Sequence, residues 1–153
     1  MPSQIKVDEI KNVAGQYEIK TNTFKGQTTG GSIAIQGEGT ATTNLQQGLG
    51  KVWIKKAANG ASILESFNVS SLTDTATGRY TVSINNDMDN ANYACSSAIT
   101  NDNSSVIETC EIRISSPAPA TGSFGAENAY VNSSTNRTDN DSISSIIVHG
   151  DLA

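Results

Sequence analysis

The stretch GKVWIKKAANGASILESFNVSSLTDTATGRYTVSINNDMDNANYAC, Gly50 to Cys95, decides how the chain is read. At its start Val52 and Ile54 fall on one side and Lys51, Trp53 and Lys55 on the other, the period-two spacing of a half-buried strand. Asn59-Gly60 then supplies the positive φ angles of a tight hairpin turn. In the next run Ile63, Phe67 and Val69 share one face, with Glu65 interrupting it. A second turn, DTATG at Asp74–Gly78, leads into RYTVSI, where Tyr80, Val82 and Ile84 alternate strictly. Strands joined by such short turns run antiparallel.

Outward from this block the same pattern continues. SIAIQ (Ser32–Gln36) lies upstream, linked by EGTATTNLQQGLG. Downstream, NNDMDNAN (Asn85–Asn92) reads as a loop, followed by strands YACSSAI and SVIETCEIRI, the latter with Cys110, Ile112 and Ile114 on one face. Pro117 and Pro119 break the pattern, because proline cannot donate to a strand ladder. AYV is a further short strand, NSSTNRTDNDS (Asn132–Ser142) a polar loop, and ISSIIVHG a closing strand. No apolar run repeats at 3.6 residues, so no helix is expected. About eight strands at roughly ten-residue spacing fit an all-β antiparallel sandwich or jelly-roll-like domain over residues 32–153.

Residues 1–31 differ. QIKVDEI alternates, NVAGQ turns, and TFKGQTTGGS is too rich in Gly and Thr to hold a core. We read 1–31 as an extended N-terminal attachment arm lying along a neighbour, with Ile5, Val7 and Ile10 as subunit-interface candidates. Hydrophobic residues make up only 36% of the 153 positions and charged ones 16%, with Ser, Thr, Asn and Gly filling the difference. So thin a core per chain implies that burial is completed between copies, in an oligomer. Trp53, opposite Val52 and Ile54, is the candidate for that interface, since aromatics concentrate in such contacts.

Composition and motifs also restrict the chemistry. The net charge is −5 and the ten Lys and Arg are scattered, which argues against nucleic acid as a partner. No run has the length and apolarity of a membrane span, and the N-terminus lacks the basic and apolar regions of a signal peptide, so synthesis in a cytoplasm is expected. His149, the only histidine, has no GxSxG elbow to serve, and the acids lie mostly in turns rather than as a convergent pair. The Asp-rich segments at Asp87 and Asp139 lack the Gly and Glu that an EF-hand loop requires. Neither catalytic residues nor a metal or other cofactor are expected. Cys95 and Cys110 flank a turn centred near Asn103, which would set them on neighbouring strands of a hairpin. They read as two small buried thiols, with a disulfide formed after release as the other reading. Five Asn-x-Ser/Thr sequons carry no glycan expectation without a secretion signal.

The order of residues in the opening stretch adds a resemblance. Lys51 and Trp53, the SFNVSS run Ser66–Ser71, Thr77-Gly78, Tyr80-Thr81-Val82, Met88 and Ala91-Asn92-Tyr93 together resemble a block found in bacteriophage tail-fibre and related virion proteins, notably those of cyanophages and other marine phages. SQIKVDEIKN similarly resembles the N-terminal ends of phage fibre chains. The likeness covers about 45 residues and omits the long shaft of typical fibres. It implies a trimeric, non-enzymatic virion component: a short tail fibre or receptor-binding fibre, or alternatively a capsid decoration or head-fibre protein. The partners it implies are two further copies of the chain, other tail or capsid proteins through residues 1–31, and a host surface glycan or protein. Asp87, Asp89 and Asn90 in one loop and Asn136, Arg137 and Asp139 in another are the candidates for receptor contact, because polar loops on a rigid scaffold commonly bind.

Overall fold

A computed structural model of the chain describes residue 23 and residues 33–36, 42–58, 61–100, 106–113, 117–131 and 136–153. The described chain is all-β, and every strand pair is antiparallel. In order the elements are β1 (Ala34–Gln36), β2 (Thr42–Asn44), α1 (Leu45–Gly48), β3 (Val52–Lys56), β4 (Ile63–Phe67), β5 (Val69–Ala76), β6 (Arg79–Ile84), β7 (Ala94–Thr100), β8 (Ile107–Ile112), β9 (Ser123–Val131), β10 (Arg137–Asp139) and β11 (Ile143–His149). The single turn α1 is too short for a helical period to show in the sequence; Asn44, a residue favoured just before a helix, precedes it. The arm at 1–31, with Ile5, Val7 and Ile10, lies outside the described residues apart from Thr23.

One sheet has the order β4-β3-β11-β7. In the other, β5 pairs with β6, β6 with β9, and β9 with β8. β10 pairs with β9 at Ala129–Val131, beyond the end of β6 and on the same edge, since Glu127 and Ala129 both have β8 on their opposite side. β1 and β2 form a separate two-stranded sheet. The two larger sheets share one core. Val52, Ile54, Ile146 and Val148 come from the first, and Leu72, Tyr80, Val82, Ile84, Phe124 and Ala126 from the second, with Met88 joining from a loop. β6 shows why: Tyr80, Val82 and Ile84 are buried while Arg79, Thr81 and Ser83 between them stay half-exposed. Each full burial of such an aliphatic side chain is worth about 1.5–3 kcal/mol.

The run SILESFNVSSL departs from its sequence reading. It is two strands in two sheets, and the chain crosses between them at Asn68, whose φ of 58° is the left-handed conformation. A register shift also falls between Lys55 and Lys56. Consequently Phe67 stands opposite Trp53 on the outside of the first sheet, Ile63 opposes Lys56, and Val69 packs against the core from the second sheet; the three do not share a face. The Asn68 side chain stabilises the crossing. Its Nδ2 donates to the carbonyls of Lys51 and Asn86, both at 3.0 Å, and its Oδ1 accepts from the Asn86 backbone N–H at 2.7 Å.

Two other expectations change. The polar segment Asn132–Ser142 is not wholly a loop, because Arg137–Asp139 pairs with β9 as β10. Nor are the cysteines on paired strands. Cys95 lies on β7 in one sheet and Cys110 on β8 in the other, so the two strands face each other across the layers instead of forming a hairpin ladder. Ser97 Oγ bridges them by donating to the Cys110 carbonyl at 2.5 Å. Both cysteines are free, and burial pushes the Cys95 thiol up to about 11 and the Cys110 thiol upward as well.

Candidate functional site

Three features of this scaffold present chemistry to solvent. The first is an apolar row across the outside of the β4-β3-β11-β7 sheet. Trp53 is registered directly opposite Phe67 on one side and Ile147 on the other. These residues point away from the core because Val52, Ile54, Ile146 and Val148, one position along, point into it. Phe67 is 54% exposed and Ile147 36%, with Trp53 half-buried between them. Gly50 lets the chain pass close to the end of the row, since a Cβ there would lie 2.8 Å from Ile147 Cδ1. Leu64 and Ile63 add exposed apolar surface on β4, the edge strand. Trp53 therefore lies on the face opposite Val52 and Ile54, turned away from the core. Phe67 and Ile147 were not singled out beforehand, although three consecutive apolar residues, Ile146 to Val148, signal that one must face out of a two-sided strand.

The second feature is a cleft at one end of the molecule, between the β6–β7 loop and the C-terminal tail. Met88 is buried and bridges to Leu152, the Asp89 N–H donates to the Asp151 carbonyl at 2.9 Å, and the Ala153 N–H to the Asp87 carbonyl at 3.0 Å. With the loop so tied down, Asn90, Asn92 and Tyr93 face His149, Gly150 and Asp151 across a cavity of about 300 Å³. Asn90 is held in a turn, its Oδ1 accepting from the Asn92 N–H at 2.8 Å. The Tyr93 hydroxyl shares its proton between the Ala120 and Ser123 carbonyls, each at 3.1 Å. Burial pushes this phenol up to about 12, so it remains a neutral donor at ordinary pH. Asp87 and Asp89 are exposed beside the cleft. Amides, carboxylate and imidazole in an open cavity suit hydrogen bonding to a polar ligand.

The third feature holds Arg137 and Asp139. They lie on β10, at the end of β9 remote from the β6–β7 loop, because Ser83 pairs with Ser123 whereas β10 pairs with Ala129–Val131. The two groups of receptor-contact candidates are thus not brought together. Arg137 and Asp139 belong to an ion-pair network centred on Glu127, which sequence reading did not single out. Arg137 Nη1 binds Glu127 Oε1; Arg79 Nε lies 3.1 Å from Glu127 Oε2 and 2.9 Å from Asp139 Oδ2; Arg113 Nε is 3.6 Å from Glu127 Oε2. Burial alone would raise the Glu127 carboxyl, but the hydrogen bond and charge of Arg137, with Arg79 and Arg113, hold it below its ordinary value. Asn136, immediately before β10, is exposed. The signal for this cluster was the outward phase of Arg79 beside inward Tyr80; its partners come from strands far along the chain.

Among the described residues, no group of three or more His, Cys, Asp and Glu side chains is placed to hold a metal ion, and no helix is long and apolar enough to cross a membrane. The chain matches no protein-family model, no curated protein and no solved structure.

Proposed function

We propose that this chain is a structural component of a phage virion, a short tail fibre or receptor-binding fibre that assembles as a homotrimer and attaches the particle to its host. The observation that carries the reading is the exposed row Phe67–Trp53–Ile147 on the outside of a sheet, an apolar surface suited to a second copy of the chain. The residue order of Gly50–Cys95 supports the virion assignment. Its residues fill positions this scaffold needs: Asn68 at the sheet crossing, Gly78 with φ of 70°, Tyr80 and Val82 in the core, and Met88 under the loop. On this reading the sandwich projects outward, residues 1–31 attach to tail or capsid proteins, and the cleft at Asn90 and Tyr93 meets the host surface.

Light scattering on the purified chain at micromolar concentration tests the assembly, with the mass of a trimer expected; a monodisperse monomer overturns it. Imaging a labelled chain on intact particles tests the location. Signal at the tail is expected, whereas signal over capsid faces or vertices replaces the tail fibre with a capsid decoration or head fibre.

A further inference from the structure

Beside the Glu127 network the outer face of the β5-β6-β9-β8 sheet carries an open groove that the ion pairs do not account for. Thr75, Ala76, Arg79, Thr81, Arg113 and Pro117 line it, with a volume of about 590 Å³. Pro117 forms one bank, packed so closely on Gly125 that a Cβ there would come 2.9 Å from its Cδ. Arg113 is fixed by its backbone N–H donating to the Gly125 carbonyl at 2.8 Å.

The two arginines are unusual in how they are engaged. Each meets the carboxylates through Nε, and Arg113 does so only at 3.6 Å although its side chain is just 19% exposed. Arg79 Nε, although close to both carboxylates, makes no well-aligned hydrogen bond to either, and a guanidinium carries five N–H donors, so both arginines retain donor capacity for a further acceptor. Thr75 spends its hydroxyl proton on the Arg79 carbonyl at 3.0 Å, which leaves its oxygen to accept. The Thr81 hydroxyl has no intramolecular partner among the described residues. Paired guanidinium forks are the arrangement that grips an oxyanion. Around the network Arg79, Arg113 and Arg137 set three guanidinium charges against the carboxylates of Glu127 and Asp139, with Glu111 3.6 Å from Arg137 on its far side.

We infer that this groove is a binding site for an acidic sugar, its carboxylate or sulfate held by the terminal nitrogens of Arg79 and Arg113 and its ring hydroxyls by Thr81 and Thr75. A sugar fits better than an extended peptide because the groups facing the groove are hydroxyls and guanidinium forks on a sheet face, and Arg79 and Thr81 at its centre stand on β6, which is paired on both sides. The site is separate from the cleft at Asn90 and does not depend on the chain being a virion component.

The test is an amide and arginine side-chain NMR titration of the full chain with a galacturonate oligosaccharide, galactose 6-sulfate, neutral galactose and inorganic sulfate. Shifts at Thr81, Arg79 and Arg113 are expected with the two acidic sugars, weakening as sodium chloride is added. Arg113→Met is expected to weaken binding roughly tenfold, the loss of one charge-assisted contact. Thr81→Val, which removes only a hydroxyl from the surface, is expected to weaken it by a smaller factor with the spectrum otherwise preserved. Absence of shifts with both acidic sugars, equal binding of neutral galactose, or unchanged affinity in both variants overturns the site. Inorganic sulfate binding as tightly as the acidic sugars overturns the part that assigns a sugar.

Discussion

Asn68 does the work of a hinge between sheets, and its two contributions can be separated. An L-residue in the left-handed region costs about 1–2 kcal/mol, less for Asn than for most, while glycine adopts it freely. The side chain separately ties Lys51 in the first sheet to Asn86 beyond the end of β6. Asn68→Gly keeps the conformation and loses the hydrogen bonds; Asn68→Ala loses both. In urea unfolding, Asn68→Ala is expected to be less stable than Asn68→Gly by about 1 kcal/mol. Equal losses would show that the side-chain bonds alone hold the crossing. Lys56 poses the opposite case. It is 2% exposed, its Nζ donates to the Ala57 carbonyl at 2.8 Å, and it lies 5.2 Å from the Tyr80 ring centroid. Burial lowers its pKa below 10.5, more than Asp141, Asp74 and Cys110 raise it. A lysine lowered on folding makes the unfolded chain bind more protons between the folded value and 10.5, so stability rises with pH across that window. Lys56→Met is therefore expected to stabilise the protein by about 1 kcal/mol at pH 7, a gain that shrinks as pH approaches 10.5. A less stable variant at pH 7 would show that the surrounding carboxylates outweigh desolvation.

At the scale of elements, the outer face of the second sheet is pinned by charge. Glu127 on β9 is reached by arginines from β6, from beyond β8 and from β10, so one carboxylate ties several strands together. Its folded pKa is depressed, so its contribution is present in full above the ordinary carboxylate value of about 4.3 and is lost as pH falls through the lower, folded value. Glu127→Gln is expected to cost about 2 kcal/mol at pH 7, less than breaking a fully buried pair because the Arg79 and Arg137 side chains are 40% and 41% exposed. Its thermal midpoint should also fall less than the wild type's between pH 5 and about pH 3. Parallel pH profiles would remove Glu127 from the acid transition. The network also marks what the sequence could and could not disclose. β3 and β6 were legible because their alternation is local and strict. β10 was not, because three residues cannot establish a period. The end of β4 was hidden because Asn68 takes a left-handed turn without the glycine that usually announces one. Glu127 read as a solvated acid because its arginines sit 10 to 48 positions from it in sequence, and pairings across such distances leave no local trace.

For the whole molecule, the question is whether the thin core is completed by other copies. The row Phe67–Trp53–Ile147 has one end on the edge strand β4 and is flanked by Lys55 opposite Glu65, so a charged pair borders the apolar centre. That is the usual division of an interface into a dry middle and a polar rim. Burying an apolar side chain of this size contributes about 1.5–3 kcal/mol, repeated in every subunit of a symmetric assembly. Placing a charge there forfeits that term and adds the cost of desolvating the charge. Phe67→Arg is the informative substitution because Phe67 is more than half exposed within one chain, so the fold does not depend on it. The variant is expected to sediment as a monomer at a micromolar concentration where the wild type is expected to sediment as the proposed trimer, with an unchanged far-ultraviolet circular dichroism spectrum. Trp53, in the middle of the row, reports the same event optically. Its emission should shift to the red when the wild type is diluted and lie at the red position at all concentrations in Phe67→Arg. An assembly whose mass is the same in both proteins, with Trp53 emission indifferent to dilution, would place the contacts between copies elsewhere and leave this face open to solvent.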